Sequence, residues 1–268
     1  MVDLALAAET RMTSLYHIEN LKFTVPGRTL LDDVQLSIPA GKVTGLIGHN
    51  GSGKSTLLKL LARQVAPTAG TIAFHDQPLA DWNARKLARR LAYLPQHLPP
   101  AEGLTIKELA ALGRYPWHGP LGRPGTQDKE AITAALNACG LSDMADQRVE
   151  TLSGGEAQRA WLAMLIAQEA DCLLLDEPIS ALDIVHQVEV LSLVHKLSQD
   201  SGRSIIVVLH DLNMAARFCD HIVALRGGAV AMQGTPQDLM NPSQLQSIYG
   251  ADMEVLSRAD GTPIAHPN

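Results

Sequence analysis

The run Gly48-His49-Asn50-Gly51-Ser52-Gly53-Lys54-Ser55 constrains the fold of this chain more than any other stretch of it. It matches the spacing GxxxxGK[ST] and is followed by Thr56. It lies between an apolar run, Val43 to Ile47 (VTGLI), and a run with leucines at helical spacing, Ser55 to Ala62 (STLLKLLA). That order predicts a strand, a tight loop and a helix. In such a loop the backbone N–H groups and the helix start enclose phosphate oxygens, and glycine is required where the backbone turns and closes on the anion. Lys54 is expected on the β and γ phosphates of a nucleotide and the Ser55 hydroxyl on Mg²⁺, which makes ATP with Mg²⁺ the expected ligand pair.

Cys172 to Leu175 (CLLL) and Ile205 to Leu209 (IIVVL) are apolar runs too short for helices and polar immediately afterwards, as strands buried on both faces of a parallel sheet are. Leu91 to Leu94 is a weaker candidate for a further strand. The fold class is therefore α/β with a P-loop NTPase core. The runs end on Gln96, on Asp176 with Glu177, and on His210. Ligands of open α/β sheets bind outside the carboxyl ends of the strands, so one site can collect all four. Asp176 is expected to orient Mg²⁺ through its water. Glu177 is expected to polarise the attacking water, a contribution of about 10² to 10⁴ in rate for a positioned base. His210 reaches the γ-phosphate or that water, and Gln96 offers its amide oxygen to Mg²⁺. Glu177, His210, Lys54 and Gln96 are thus the candidate catalytic residues, and Ser55, Asp176 and Gln96 the candidate metal ligands.

A second glycine-rich stretch, Thr151 to Ala160 (TLSGGEAQRA), carries no lysine. Ser153 and Glu156 stand in the capping-box pattern, so Ser153 is expected to cap a helix that Glu156 helps to close, while Gly154 and Gly155 leave its N–H groups uncovered. Such a helix end carries roughly half a positive charge and is an anion site without a cation. A lone nucleotide already has its phosphates surrounded by the first loop. The expected occupant is therefore the γ-phosphate of a nucleotide on a second copy of the chain, a mutual contact that makes ATP the glue of a homodimer. Binding closes the pair and hydrolysis releases it.

Between Gln96 and Ser153 the pattern changes to short helices. Thr105 to Glu108 is a capping box ahead of LAALG, and Asp128 to Cys139 has apolar positions three and four apart, so residues 97–150 read as a helical insert. Gly227-Gly228 reads as a hairpin turn and Thr235-Pro236 as a helix start. Residues 1–14 read as a loose tail without a secretory signal, and residues 251–268, with Pro263 and Pro267, show little periodicity. Lys and Arg are scattered and the formal net charge is −6, which argues against nucleic acid as a partner. Cys139, Cys172 and Cys219 lack disulfide or metal spacing and read as core residues of a reducing compartment. The apolar runs are far shorter than the roughly 20 residues that cross a bilayer.

In order along the chain, GHNGSGKST, YLPQ ending at Gln96, LSGGE, CLLLDEP, SALD ending at Asp183 and VLHD with His210 resemble the motif set of ATP-binding-cassette (ABC) ATPases, over roughly residues 15–250. The resemblance implies an antiparallel β part near the N-terminus, a helical subdomain over about 97–165 that carries LSGGE, and a head-to-tail dimer with ATP at the interface. Asp183 would lie in the loop that crosses to the partner. More narrowly, PGRTLL, AYLPQHLPPAEG, GRYPWHGPLGR and LDIVHQVEVLSLVHKLSQ look like the ATPases of ferric-hydroxamate siderophore importers. That implies a bacterial subunit on the cytoplasmic face of the inner membrane, beneath a separate permease fed by a periplasmic siderophore-binding protein. Arg114, Tyr115 and Trp117 form a patch in the insert that is expected to receive the permease. Importers of another metal chelate or of cobalamin, and cassettes without a transport role, are the alternatives. Two positions depart from the family: Val25, with Phe23 two residues away, stands where an aromatic side chain often stacks on adenine, and Ile179 replaces the threonine usual after DEP.

Overall fold

The computed structural model describes residues 14–119, 122–258 and 261–267. Strands β1 (Ser14–Val25) and β2 (Arg28–Pro39) pair antiparallel around a Pro26-Gly27 turn, in which Gly27 takes φ 78°. From Val34 to Ile38 burial in β2 alternates residue by residue, as in a strand with one wet face. Strand β3 (Val43–Ile47) is buried at every position and leads through the glycine loop into α1 (Lys54–Leu61). Strand β4 (Ala69–Phe74) returns to pair with β1, and β5 (Gln77–Pro78) adds a short edge. Helix α2 (Ala84–Ala88), capped by Asn83, precedes β6 (Leu91–Leu94). Helices α3 (Ile106–Leu112), α4 (Tyr115–His118), α5 (Thr126–Ala138) and α6 (Gly154–Ala167) follow. Strand and helix then alternate: β7 (Cys172–Leu175), α7 (Ile184–Ser201), β8 (Ser204–Val208), α8 (Leu212–Phe218) and β9 (His221–Arg226). Strand β10 (Ala229–Gly234) turns back on β9, and α9 (Pro236–Leu239), α10 (Pro242–Tyr249), β11 (Met253–Ser257) and β12 (Pro263–Pro267) complete the described chain.

The main sheet has the order β10-β9-β3-β8-β7-β6 and is parallel except for β10. The antiparallel sheet has the order β2-β1-β4-β5. Successive strand residues leave opposite faces, and this divides the interior into two cores. Leu173 and Leu175 of β7 join Leu109, Ile132, Trp161 and Val190 of the helices. Cys172 and Leu174 join Leu57 and Leu58 of α1 together with Tyr16 and Leu31 of the antiparallel sheet. Each leucine so buried contributes about 1.5–3 kcal/mol relative to an exposed one. With both faces covered, the place for a ligand on such parallel strands is the crevice outside their carboxyl ends.

The weaker expectation at Leu91 to Leu94 is a strand, β6, at the rim of the sheet. The Thr105 capping box closes as predicted, with Thr105 Oγ accepting from Glu108 N at 3.2 Å and Glu108 Oε2 accepting from Thr105 N at 2.8 Å. One expectation needs correction. Ser14 belongs to β1 and not to a tail, while residues 1–13 lie outside the described residues. The segment after residue 250, whose sequence shows little periodicity, holds the β11–β12 ribbon, in register from Met253 opposite Pro267 to Ser257 opposite Pro263. Its two prolines fall at the ends of β12, where a missing N–H interrupts no ladder. Asn213 of α8 fastens the ribbon, donating to Ala265 O at 3.0 Å and accepting from Ala265 N at 2.8 Å. Among the described residues no helix is long and apolar enough to cross a membrane.

Candidate functional site

The loop after β3 has the backbone that its glycines permit. Gly48 takes φ 136° and Gly53 φ 105°; a methyl group on Gly48 would lie 2.1 Å from Leu225 O, and one on Gly53 2.6 Å from Leu31 Cδ2. Gly53 is also the N-cap of α1 and brings no side-chain acceptor, so the first N–H groups of that helix face the loop without a cap. Lys54 is folded back into the loop, 4% exposed, with Nζ donating to Gly48 O at 2.8 Å and His49 O at 3.0 Å. Burial pushes its pKa down, and the nearby carboxylates of Glu177 and Asp176 oppose that shift. The buried Ser52 hydroxyl has no hydrogen-bond partner.

Asp176 and Glu177 follow β7. Ser55 Oγ donates to Asp176 Oδ1 at 2.8 Å, and Tyr93 OH lies 3.5 Å from Asp176 Oδ2. Asp176 is 2% exposed, and burial pushes its carboxyl up while the Ser55 hydrogen bond pulls it down. A serine hydroxyl paired with a carboxylate is the all-oxygen donor set that Mg²⁺ prefers, and an orphaned hydroxyl in a ring of uncapped N–H groups suits a phosphate. The residues therefore fit ATP with Mg²⁺. Glu177 has a left-handed backbone, φ 51°, which costs a non-glycine residue about 1–2 kcal/mol. In that conformation its two oxygens meet separate groups: Gln96 Nε2 donates to Oε2 at 2.6 Å, and His210 Nε2 lies 2.6 Å from Oε1. The contact that Gln96 makes is thus with Glu177, through the amide nitrogen. A cavity of about 230 Å³ opens beside Glu177, Ser180, Gln187 and His210. Ile179, at the position where threonine is usual, is 7% exposed and packs in the helical core.

Around the second glycine loop the cap is as expected. Ser153 Oγ accepts from Glu156 N at 3.3 Å, and Glu156 Oε2 accepts from Ser153 N at 2.8 Å. Asp183 is the N-cap of α7, and its Oδ1 accepts from His186 N at 3.0 Å and from His186 Nδ1 at 2.9 Å. Sequence reasoning missed His186, although the Asp-x-x-His spacing places it within reach of a capping Asp183. Tyr249 was missed as well: its carbonyl accepts from His49 Nε2 at 2.7 Å across 200 residues of chain, for which no local pattern exists. At the N-terminal turn Val25 pairs with Arg28, and Phe23 packs partly into the core beneath the antiparallel sheet.

The patch of Arg114, Tyr115 and Trp117 divides in two. Arg114 is no surface residue: its side chain is 5% exposed, with Nε on Asp128 Oδ1 at 2.7 Å and Nη1 on Glu169 Oε2 at 2.6 Å and on Ala167 O at 2.7 Å. An arginine caged by two carboxylates holds helices together, and with its side chain 5% exposed it offers a partner little surface. Trp117 donates to Gln168 O at 2.8 Å under the guanidinium groups of Arg89 and Arg114. Tyr115 and its neighbour Leu112 are exposed.

A family profile described as ABC transporter matches residues 31–180, from β2 to the loop after β7, and so takes in the phosphate loop, Gln96, the Ser153 loop and both carboxylates. The chain belongs to the ABC transporter family. It is an ATP-binding subunit of that family, with the α/β fold of mixed parallel and antiparallel sheets expected of an ABC ATPase. A siderophore transport system ATP-binding protein of Bacillus subtilis is 40% identical over 251 residues, 93% of this chain and 91% of the relative. An iron(3+)-hydroxamate import ATP-binding protein of the same bacterium is 39% identical over 239 residues, 89% of each chain. The dimeric structure of a bacterial ABC transporter cassette superimposes with a TM-score of 0.73 at 26% identity, covering 82% of this chain and 98% of that one.

Proposed function

We propose that this chain is the ATP-hydrolysing subunit of a bacterial importer of iron(III)-hydroxamate siderophores. The observation that carries hydrolysis is Glu177, fixed between Gln96 and His210 at 2.6 Å each and adjacent in sequence to the Ser55–Asp176 pair. The cargo class rests on two relatives of about 40% identity whose names carry siderophore and hydroxamate import.

In this reading the N–H groups of Gly48, His49, Asn50, Gly51, Ser52, Gly53 and Thr56 enclose the phosphates. Lys54 exchanges the carbonyls of Gly48 and His49 for β- and γ-phosphate oxygens. Ser55, Asp176 and the Gln96 amide oxygen would hold Mg²⁺, which when bound would offset phosphate charge. Glu177 takes the proton of the attacking water. His210 keeps that carboxylate aimed through its Nε2–H and turns the same donor to the γ-phosphate as charge develops there. Ser153, Gly154, Gly155 and Glu156, with Asp183 beside them, belong to the nucleotide of a second copy. Gly154 supports this, being exposed with nothing within 4 Å of a methyl built on it.

The homodimer works beneath a permease on the cytoplasmic face of the inner membrane, with a periplasmic binding protein delivering the chelate. Tyr115 and Trp117, on the helical subdomain of residues 97–165, receive the permease. Cells lacking this gene test the reading. The wild-type chain is expected to restore uptake of radiolabelled ferric hydroxamate, and Glu177→Gln is not. Restoration by both, or by neither while heme uptake returns, refutes the assignment.

A further inference from the structure

The start of α6 and the start of α7 meet at one side chain, His186. Asp183 Oδ1 accepts from both its backbone N and its ring Nδ1, which fixes the plane of the imidazole and turns Nε2 away from the carboxylate. The other side of the ring lies on Gly155. A methyl built there would come within 2.7 Å of His186 Cδ2, 3.0 Å of Cγ and 3.3 Å of Nε2. Gly155 is buried beneath this ring, while Gly154 is exposed and open. The two glycines thus answer different needs, one admitting the partly exposed imidazole of the same subunit and the other leaving its own side clear. One turn further along, Arg159 of α6 pairs with Glu189 of α7 at 3.1 Å.

Two successive glycines are the most flexible start a helix can have. An anion site made of backbone N–H groups works only if those groups are aimed before the anion arrives, and this one has no lysine to compensate for misalignment. We propose that His186 is a positioning residue: oriented by Asp183, its imidazole braces the Gly154-Gly155 backbone from behind, so that the first turn of α6 is set for the terminal phosphate of a nucleotide on the second copy. The inference deepens the shared-nucleotide reading above and rests on it.

The full chain and the variants His186→Ala, His186→Asn and Gly155→Ala are compared for ATP binding by dilute single subunits, ATP-driven dimerisation by sedimentation, and kcat and KM for MgATP hydrolysis. In His186→Ala, binding to single subunits stays within about twofold, while kcat falls about tenfold and half-dimerisation needs about tenfold more protein, the loss of one well-aligned hydrogen bond to an anion. His186→Asn keeps a donor for Asp183 but no ring, and recovers only part of the loss. Gly155→Ala displaces the ring and falls similarly, and combining it with His186→Ala adds nothing further, because both act through one contact. Additive losses, an unchanged kcat in His186→Ala, or loss of nucleotide binding by single subunits overturns the proposal. If the wild-type chain itself fails to dimerise with ATP, the shared site falls and the brace with it; if only the variants behave as wild type, the shared site stands without the brace.

Discussion

Glu177→Gln is the most informative perturbation of the site, because it keeps the side chain's shape and removes only its charge. Gln96 Nε2 donates to one carboxylate oxygen at 2.6 Å, and His210 Nε2 lies 2.6 Å from the other. A glutamine amide has a single oxygen, so it can keep only one of those two contacts. The left-handed backbone at φ 51° is as strained for glutamine as for glutamate, and the melting temperature is expected to stay within about 2 °C. The lost base is worth about 10² to 10⁴ in rate, or roughly 2.7–5.4 kcal/mol on the barrier. The loss falls on kcat and leaves KM nearly constant, since Lys54, Ser55 and Asp176 are untouched. Steady-state phosphate release over a range of ATP concentrations reads both constants. A kcat within about tenfold of wild type, or a raised KM at constant kcat, would show that Glu177 only holds Gln96 and His210 in place.

Four further outcomes follow from the geometry. Arg114→Met strips the buried partner from Asp128 and Glu169 and is expected to cost about 3 kcal/mol, lowering the melting temperature by about 6 °C or more; a shift under about 2 °C would mean that solvent screens these pairs. The Asp128 carboxyl is held below its ordinary 3.8, first by the Arg114 hydrogen bond and then by the Gly125 N–H. The unfolded chain therefore binds that proton at higher pH, so the stabilisation is present above the unfolded value and is lost as pH falls through the folded one. Melts of wild type and Asp128→Asn between about pH 6 and pH 3 should converge on acidification. Gly53→Ala forces a methyl toward Leu31 Cδ2 at a φ of 105°, and ATP titration should show weakened binding with the fold retained in circular dichroism. Tyr115→Ala should reduce chelate uptake in cells while the isolated subunit keeps its ATPase rate, and a parallel loss of both would place Tyr115 in the packing of the helices.

The site was legible where function sits one or two residues beyond a strand. Strands buried on both faces show as unbroken apolar runs, so CLLL and IIVVL locate Asp176, Glu177 and His210 without any knowledge of their partners. Capping boxes were legible for the same reason, because Ser153 and Glu156 complete their bonds within four residues. Contacts between distant parts of the chain left no such trace. Asn213 and Ala265 are 52 residues apart, and the prolines around Ala265 disguise a strand whose ends tolerate them. Arg114 looked like a surface residue because it stands beside Tyr115 and Trp117. Only the fold brings Asp128 and Glu169 around it. Gln96 was read for its amide oxygen, whereas its nitrogen makes the observed contact, a choice that depends on where the strained Glu177 backbone aims its carboxylate.

The far end of the chain is mechanically geared to the nucleotide pocket. The Tyr249 carbonyl tethers His49 in the phosphate loop, and Ala265 is stitched to Asn213, three residues past His210. These contacts link α10 to the glycine loop and the ribbon to the helix that follows His210. A dye attached at the exposed Glu254 rides on that ribbon and can report opening and closing from outside the reacting centre.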